Sequence, residues 1–353
     1  MKASLAGPRQ AALGLTGPPF TSPADVVAHL GAVQSQAYGM ALWSLGRRLE
    51  AATLDTVHES FQRGDLVRTH VLRPTWHFVM PGDLRWLLQL SAPRVHRLMA
   101  SSAKQLELTT ALLERSAGVI VDELADGRPR TRAELGLALA EAGLPSTGTA
   151  LAHQMVFAEI EALVCSGPMS GPHPTYVLAS ARVPTTDPLP IDEALARLAL
   201  LYFRGHGPAR AKDLAWWSSL TLAESQRAIT LAGLRPLEHD GQAYWATDEQ
   251  PEAAPVPRAQ LLPNFDEYIS YVRDPDDLAH LGGTIQDVMR SSGLLFVDGQ
   301  VTGSWTRTLR SQEVRIEVRS QRPLSAPVLR AVEQEAAWFG RFVEREADLH
   351  VVS

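Results

Sequence analysis

Apolar positions along the chain repeat at helical spacing in some stretches and alternate in others, and the order of the two patterns recurs. Ser22-Pro23-Ala24-Asp25 opens the first helical stretch. Serine can cap, proline suits the first helical position, and aspartate sits where a capping box places an acid. Val26, Val27, Leu30 and Val33 follow at helical spacing, and Gly31 weakens the helix near its end. A second amphipathic stretch runs from Met40 to Leu49, and a third from Leu54 to Arg63, closed by Gly64. From Leu66 to Met80 the period changes. Val67, Thr69 and Val71 alternate with polar neighbours, as do Trp76, Phe78 and Met80, with Pro74 between the runs. This predicts paired strands around a turn. Three helices followed by a hairpin is the order of a winged helix.

The same order returns twice. Helices are expected over Ala111–Leu124, from Thr131-Arg132-Ala133-Glu134 onward, and over Thr149–Cys165, with a wing over Ser166–Ala179. Further on, Ile191–Arg204, Ala209–Trp217 and Leu222–Ala232 read as helices, and Gly205-His206-Gly207-Pro208 as a turn. Leu237–Trp245 then reads as a hairpin around Asp240-Gly241. Glu249–Pro257 is a linker, rich in Pro, Ala and Glu. Beyond it, Leu294–Val301 turns at Asp298-Gly299, Val314–Val318 alternates, and a helix over Pro327–Glu344 closes the chain. The expected fold is α+β: three tandem winged-helix units over residues 22–107, 108–183 and 184–250, then a β-rich, barrel-like element with a closing helix over 251–353.

Composition narrows this picture. Cys165 is the single cysteine, which excludes an internal disulfide and a zinc finger. No run of about 18 apolar residues is present, so no membrane helix is expected. Met1–Thr21 lacks the layout of a secretory signal. A reduced, cytoplasmic, nucleoid-associated setting fits. The net charge of −6 argues against nucleic acid only if it is spread evenly. It is not: Gly46–Arg115 holds ten basic and seven acidic residues, Arg290–Arg330 seven arginines and three acids, and Asp266–Asp287 is acidic. Lysine occurs only at positions 2, 104 and 212. Arginine suits bidentate phosphate contacts, and a coding bias toward arginine would give the same composition.

Three groups of residues carry candidate chemistry. Gln34 and Gln36 are two apart, so an extended backbone points both carboxamides to one side, where they can converge on a water; a helix would separate them by about 200°. They read equally as solvated or satisfied buried amides. Leu66–His77 carries Arg68, Thr69, His70, Arg73, Thr75 and His77, donors suited to phosphate oxygens, or else the polar edge of an ordinary wing. The two histidines have no carboxylate at ligand spacing, so no metal site is expected. In Leu261–Tyr268, Asp266 or Glu267 could polarise a catalytic group, or cap a turn, or bind an arginine. Tryptophans, Trp43 among them, read as core. A phosphate-cradling glycine loop, a dinucleotide fingerprint and Gly-x-Ser-x-Gly are all absent.

Val33-Gln34-Ser35-Gln36 through Ala41–Gly46, Val67–His70 with Arg73–His77, and Leu262–Tyr268 together resemble the AlkZ-like winged-helix DNA glycosylases, the azinomycin-resistance type. The similarity runs from about Pro23 to the C-terminal helix. It implies three tandem winged helices joined to a β-barrel-like element, and excision of N-alkylated purines, including unhooking of interstrand crosslinks. The family signature is Gln, an apolar residue, then Gln; here Ser35 stands in the middle, which touches packing more than chemistry. On this resemblance Gln34 and Gln36 are catalytic, Arg68, Thr69, His70, Arg73, Thr75 and His77 bind DNA or orient the site, and Trp43, Asp266 and Tyr268 support it. No metal or organic cofactor is required. The expected partner is double-stranded DNA, alkylated or crosslinked, bound by a monomer. A non-catalytic DNA-binding protein or transcription regulator is the alternative, and a protein- or ligand-binding scaffold a third reading.

Overall fold

The computed structural model describes residues 5–268 and 290–352. It divides into two compact units, each assembled from separate stretches of chain. Met1–His58, Leu201–Asp213 and Arg235–Ser353 make the first; Glu59–Leu200 and Leu214–Leu234 make the second. The helices Leu54–Arg63, Ile191–His206 and Ala211–Ser218 each carry residues of both.

In the first unit the helix Pro23–Leu30 starts as its sequence predicts, with the Ser22 hydroxyl accepting the Asp25 N–H at 3.1 Å. Gly31 ends it at φ +82, and a Cβ there would lie 2.4 Å from Leu201. Only glycine allows the chain to turn out of the helix at this point. It then enters the strand Ala32–Gln34 and the helix Tyr38–Gly46. From Met40 to Gly46 every residue of that helix is buried. Trp43 meets the rings of Trp338, Phe339 and Phe342 at centroid distances of 5.5, 5.2 and 4.9 Å, the aromatic heart of the unit. Those three belong to the helix Ala326–Phe342.

That helix covers a five-stranded sheet in the order Glu346–Val352, Glu313–Ser320, Gln300–Leu309, Gly293–Val297, Ala259–Leu262. Val314, Ile316 and Val318 are fully buried between more exposed neighbours, the alternation that a half-covered strand requires. Asp298 and Gly299 both take positive φ, 49 and 79, which matches the tight turn their sequence predicts. The sheet is curled, and among the described residues no ladder joins its two outer strands.

The closing helix is followed by one more element, which the sequence pattern did not reveal. Glu344 turns left-handed at φ 54, the Arg345 N–H returns to Gly340 O at 2.9 Å, and Glu346–Val352 joins the sheet parallel to Glu313–Ser320. The turn has no glycine to announce it, because a glutamate takes the left-handed position.

The second unit holds the hairpin Val67–His70 and Trp76–Val79, with Thr69 opposite His77 and His70 opposite Trp76. It also contains Leu84–Gln105, a 22-residue helix left unassigned by the periodicity because Pro93 interrupts the reading. Thr110–Glu123, Arg132–Glu141 and Gly148–Ile160 pack around Ile120, Leu124, Leu135, Leu139 and Met155. Thr131 and Glu134 form a capping box where a helix was expected to open. The helix expected to reach Cys165 stops at Ile160. Ala162 is left-handed at φ 55, the Leu163 N–H bonds Ala158 O at 3.0 Å, and Cys165 lies in the strand Val164–Ser166. Similarly, the Ile191 helix continues to His206, through the first two residues of the expected turn.

Candidate active site

The Gln34–Gln36 segment is built as an exit from a glycine-ended helix. Burial alternates through it: Val33 and Ser35 are 1% and 0% exposed, Gln34 is half-buried and Gln36 exposed. Gln34 closes the strand Ala32–Gln34, Gln36 lies in the bend beyond it, and the buried Ser35 separates the two more accessible glutamines.

The segment Leu262–Tyr268 is held against this motif within the same unit. Arg48 donates to both carboxylate oxygens of Asp266, at 2.9 and 3.0 Å, and the Ser44 hydroxyl donates to it at 2.7 Å. Both charged side chains are fully buried. Burial pushes the Asp266 carboxyl up, but the Arg48 charge and hydrogen bonds, the Tyr268 N–H and Ser44 outweigh it and leave the group below the ordinary carboxylate range. Asp266 thus binds an arginine, one of the roles its sequence position allows. Glu267, also buried, accepts the backbone N–H of Gln34 at 2.9 Å through Oε1. Its Oε2 lies 3.2 Å from Nε2 of His206.

The other two supporting candidates are structural. Trp43 is in the aromatic core, and Tyr268 donates its hydroxyl to Gly299 O at 3.3 Å and packs on Phe296. The acidic run beyond Tyr268, toward Asp287, lies outside the described residues.

The candidate DNA contacts lie in the second unit, and most of them face inward. Arg68, Thr69, His70 and His77 are buried, while Arg73 and Thr75 are partly exposed. His70 Nδ1 pairs with the buried Glu159 carboxylate, whose other oxygen accepts the Trp76 indole N–H at 3.2 Å. The Arg68 guanidinium lies over the Trp76 ring, 4.3 Å from its centroid. His77 Nδ1 is 2.9 Å from Thr75 O and Nε2 is 3.1 Å from Arg73 Nη2. Guanidinium only donates, so Nε2 is the acceptor in the contact with Arg73. Arg73 also stacks on Trp216 at 4.5 Å. The structure brings these side chains into one braced hairpin.

Motif reading passed over Glu267 as the partner of the Gln34 N–H, and His206 as the partner of Glu267. The acid was visible beside Asp266, but nothing in its spacing linked it to a residue 233 positions earlier. Among the described residues no group of three or more metal-ligating side chains gathers. A cavity of about 910 Å³ in the second unit, floored by Leu108, Ala117 and Phe157, includes none of the sequence-predicted site residues.

The chain is 26% identical to an interstrand DNA cross-link repair glycosylase of Streptomyces sahachiroi, over 92% of each protein. Its fold matches that of Streptomyces sahachiroi DNA glycosylase AlkZ with a TM-score of 0.80, at 23% identity and full coverage of both chains. A family model described as DNA glycosylase AlkZ-like matches residues 27–342. With most of its length matched in this way, the chain belongs to the AlkZ-like DNA glycosylase family.

Proposed function

We propose that this DNA glycosylase hydrolyses the N-glycosidic bond of N7-alkylated, cationic purines in duplex DNA, interstrand crosslinks included, with Gln34 and Gln36 holding the attacking water. The crosslink part of the reading draws on the name of the Streptomyces sahachiroi relative. The observation that supports the rest is the burial pattern of the motif, with Ser35 buried and Gln34 and Gln36 on either side of it partly or fully exposed.

An N7-alkylated purine already carries positive charge. When its bond to C1′ breaks, the bonding pair neutralises the base, and no acid has to protonate it. The sugar becomes oxocarbenium-like, and water adds at C1′ and loses a proton to solvent. A carboxamide has no useful basicity near neutral pH. It can orient the water and place its carbonyl dipole toward the developing charge. Neutral purines, which need leaving-group protonation, are expected to be poor substrates.

Three successions of helices and a hairpin, ending in the hairpins 67–79, 164–178 and 236–245, support reading residues 22–250 as three winged helices in series. Arg68, His70, Arg73 and His77 then orient the hairpin of the first; Arg73 is the arginine of that group that is not fully buried, while the Thr75 hydroxyl is buried.

The test is base release from a duplex containing N7-methylguanine. Gln34→Ala and Gln36→Ala are each expected to slow release by about 10²–10⁴-fold, the usual worth of such a group. Equal release by all three proteins would remove the catalytic assignment. Tight duplex binding by the wild type with no base loss would favour a regulator instead.

A further inference from the structure

Glu267 touches the motif directly, and the water-positioning reading gives it no task. Its Oε1 receives the Gln34 N–H at 2.9 Å and its Oε2 faces His206 Nε2 at 3.2 Å. Glu267 is 1% exposed and His206 0%. The imidazole in turn stacks on Tyr202, with centroids 4.8 Å apart and planes 9° from parallel.

The segment that presents Glu267 is itself tightly constrained. Asp266 beside it is anchored by Arg48, and Arg307 donates to Asn264 at 3.2 Å. Phe265 between them sits at φ +60, a left-handed conformation that is an outlier for a bulky residue. Strain of this kind persists where the surroundings over-determine the backbone, and it concentrates at working sites.

We propose that Glu267, clamped by His206, is a positioning residue for glycosidic hydrolysis: it fixes the Gln34 peptide and so the point from which the Gln34 carboxamide aims the water. This rests on the glutamine reading above. A hydrogen bond from a backbone N–H to a buried side-chain carbonyl-type oxygen is directional. A shift of about 1 Å in a positioning group can cost about 10²-fold in rate, so the anchor matters although it never meets the substrate. Glu267 acts on Gln34 through the backbone, and His206 holds the second carboxylate oxygen so that the first keeps its direction.

The experiment is single-turnover base release from a duplex oligonucleotide with one N7-methylguanine, using excess full-length protein. DNA affinity is measured separately by fluorescence polarisation. Glu267→Asp draws the acceptor oxygen back by one methylene. It is expected to lower the release rate about ten- to a hundredfold while DNA affinity holds. Glu267→Gln keeps an acceptor oxygen at full reach and is expected to recover most of the rate, a rescue that mere loss of packing would not show. Glu267→Ala, if it folds, should be as slow as Glu267→Asp or slower; Glu267→Asp carries the test if it does not. In a Gln34→Ala background, Glu267→Asp should add no further loss, because its effect runs through Gln34. A wild-type rate in Glu267→Asp, or losses that add in full, would overturn the positioning role. If Gln34→Ala itself releases base at the wild-type rate, the glutamine reading has failed. If Gln34→Ala is slow and Glu267→Asp is not, only the role of Glu267 falls.

Discussion

Ser35 stands where the family signature carries an apolar residue, and it is fully buried. A hydroxyl rather than hydrocarbon therefore fills the buried middle position of the motif in this chain. Cys165 shows the same primacy of burial over residue type. It lies fully buried in the strand Val164–Ser166, and burial pushes its thiol up to about 12. Thiolate is the reactive form, so almost none is present near neutral pH. Native protein is expected to leave a thiol reagent unconsumed at pH 8, and denatured protein to react with one equivalent. Prompt labelling of native protein would mean that the strand opens readily. At this scale the sequence was partly readable. The spacing of Gln34 and Gln36 suggested a shared side on extended backbone, but the strand ends at Gln34 and the chain bends at Gln36. The inward turn of Arg68 and His70 was not readable, since it depends on the Trp76 ring and on Glu159, which lies outside the hairpin.

Among the elements, starts were easier to read than ends. Ser22, Thr131 and Thr221 cap the helices their sequences announce, because a cap is a local hydrogen bond between residues three apart. The ends at Ile160 and Phe342 use left-handed Ala162 and Glu344, which no local signal marks. Gly340 shows what such an end demands. A Cβ there would lie 2.8 Å from Arg345 O and 3.1 Å from the Ala347 side chain, so the turn into Glu346–Val352 passes directly over the glycine. Gly340→Ala is expected to destabilise the protein by about 1–3 kcal/mol, the usual cost of forced overpacking, despite alanine's better helix propensity. Urea unfolding measures this, and a more stable variant would show that the turn has room to move aside.

For the molecule as a whole, the most consequential electrostatic feature of the first unit is the buried Arg48–Asp266 pair, which ties residues 218 positions apart. Removing one member of such a pair strands the other charge and costs about 3–5 kcal/mol. The pH dependence follows from the lowered carboxyl of Asp266. Its stabilisation is complete above the unfolded aspartate value of about 3.9 and is lost as pH falls through the lower folded value. The melting-temperature gap between wild type and Asp266→Asn should therefore be wide and level from about pH 5 to 7 and narrow below about 4. A gap that stays constant into acid would remove the pair from the account.

Much of the order of elements along the chain was legible, Leu84–Gln105 and Glu346–Val352 excepted, while the grouping of stretches into compact units was not, because that depends on contacts across hundreds of positions. It bears on how the protein can be dissected. The backbone passes between the two sets of residues at His58, Leu200, Asp213 and Leu234, and the first three of these passages lie inside helices. No single scission frees either half intact, and a fragment ending at Leu200 lacks Leu214–Leu234 of one and most of the other. Loss of activity on shortening this chain would therefore report broken architecture in both halves rather than the deletion of a module.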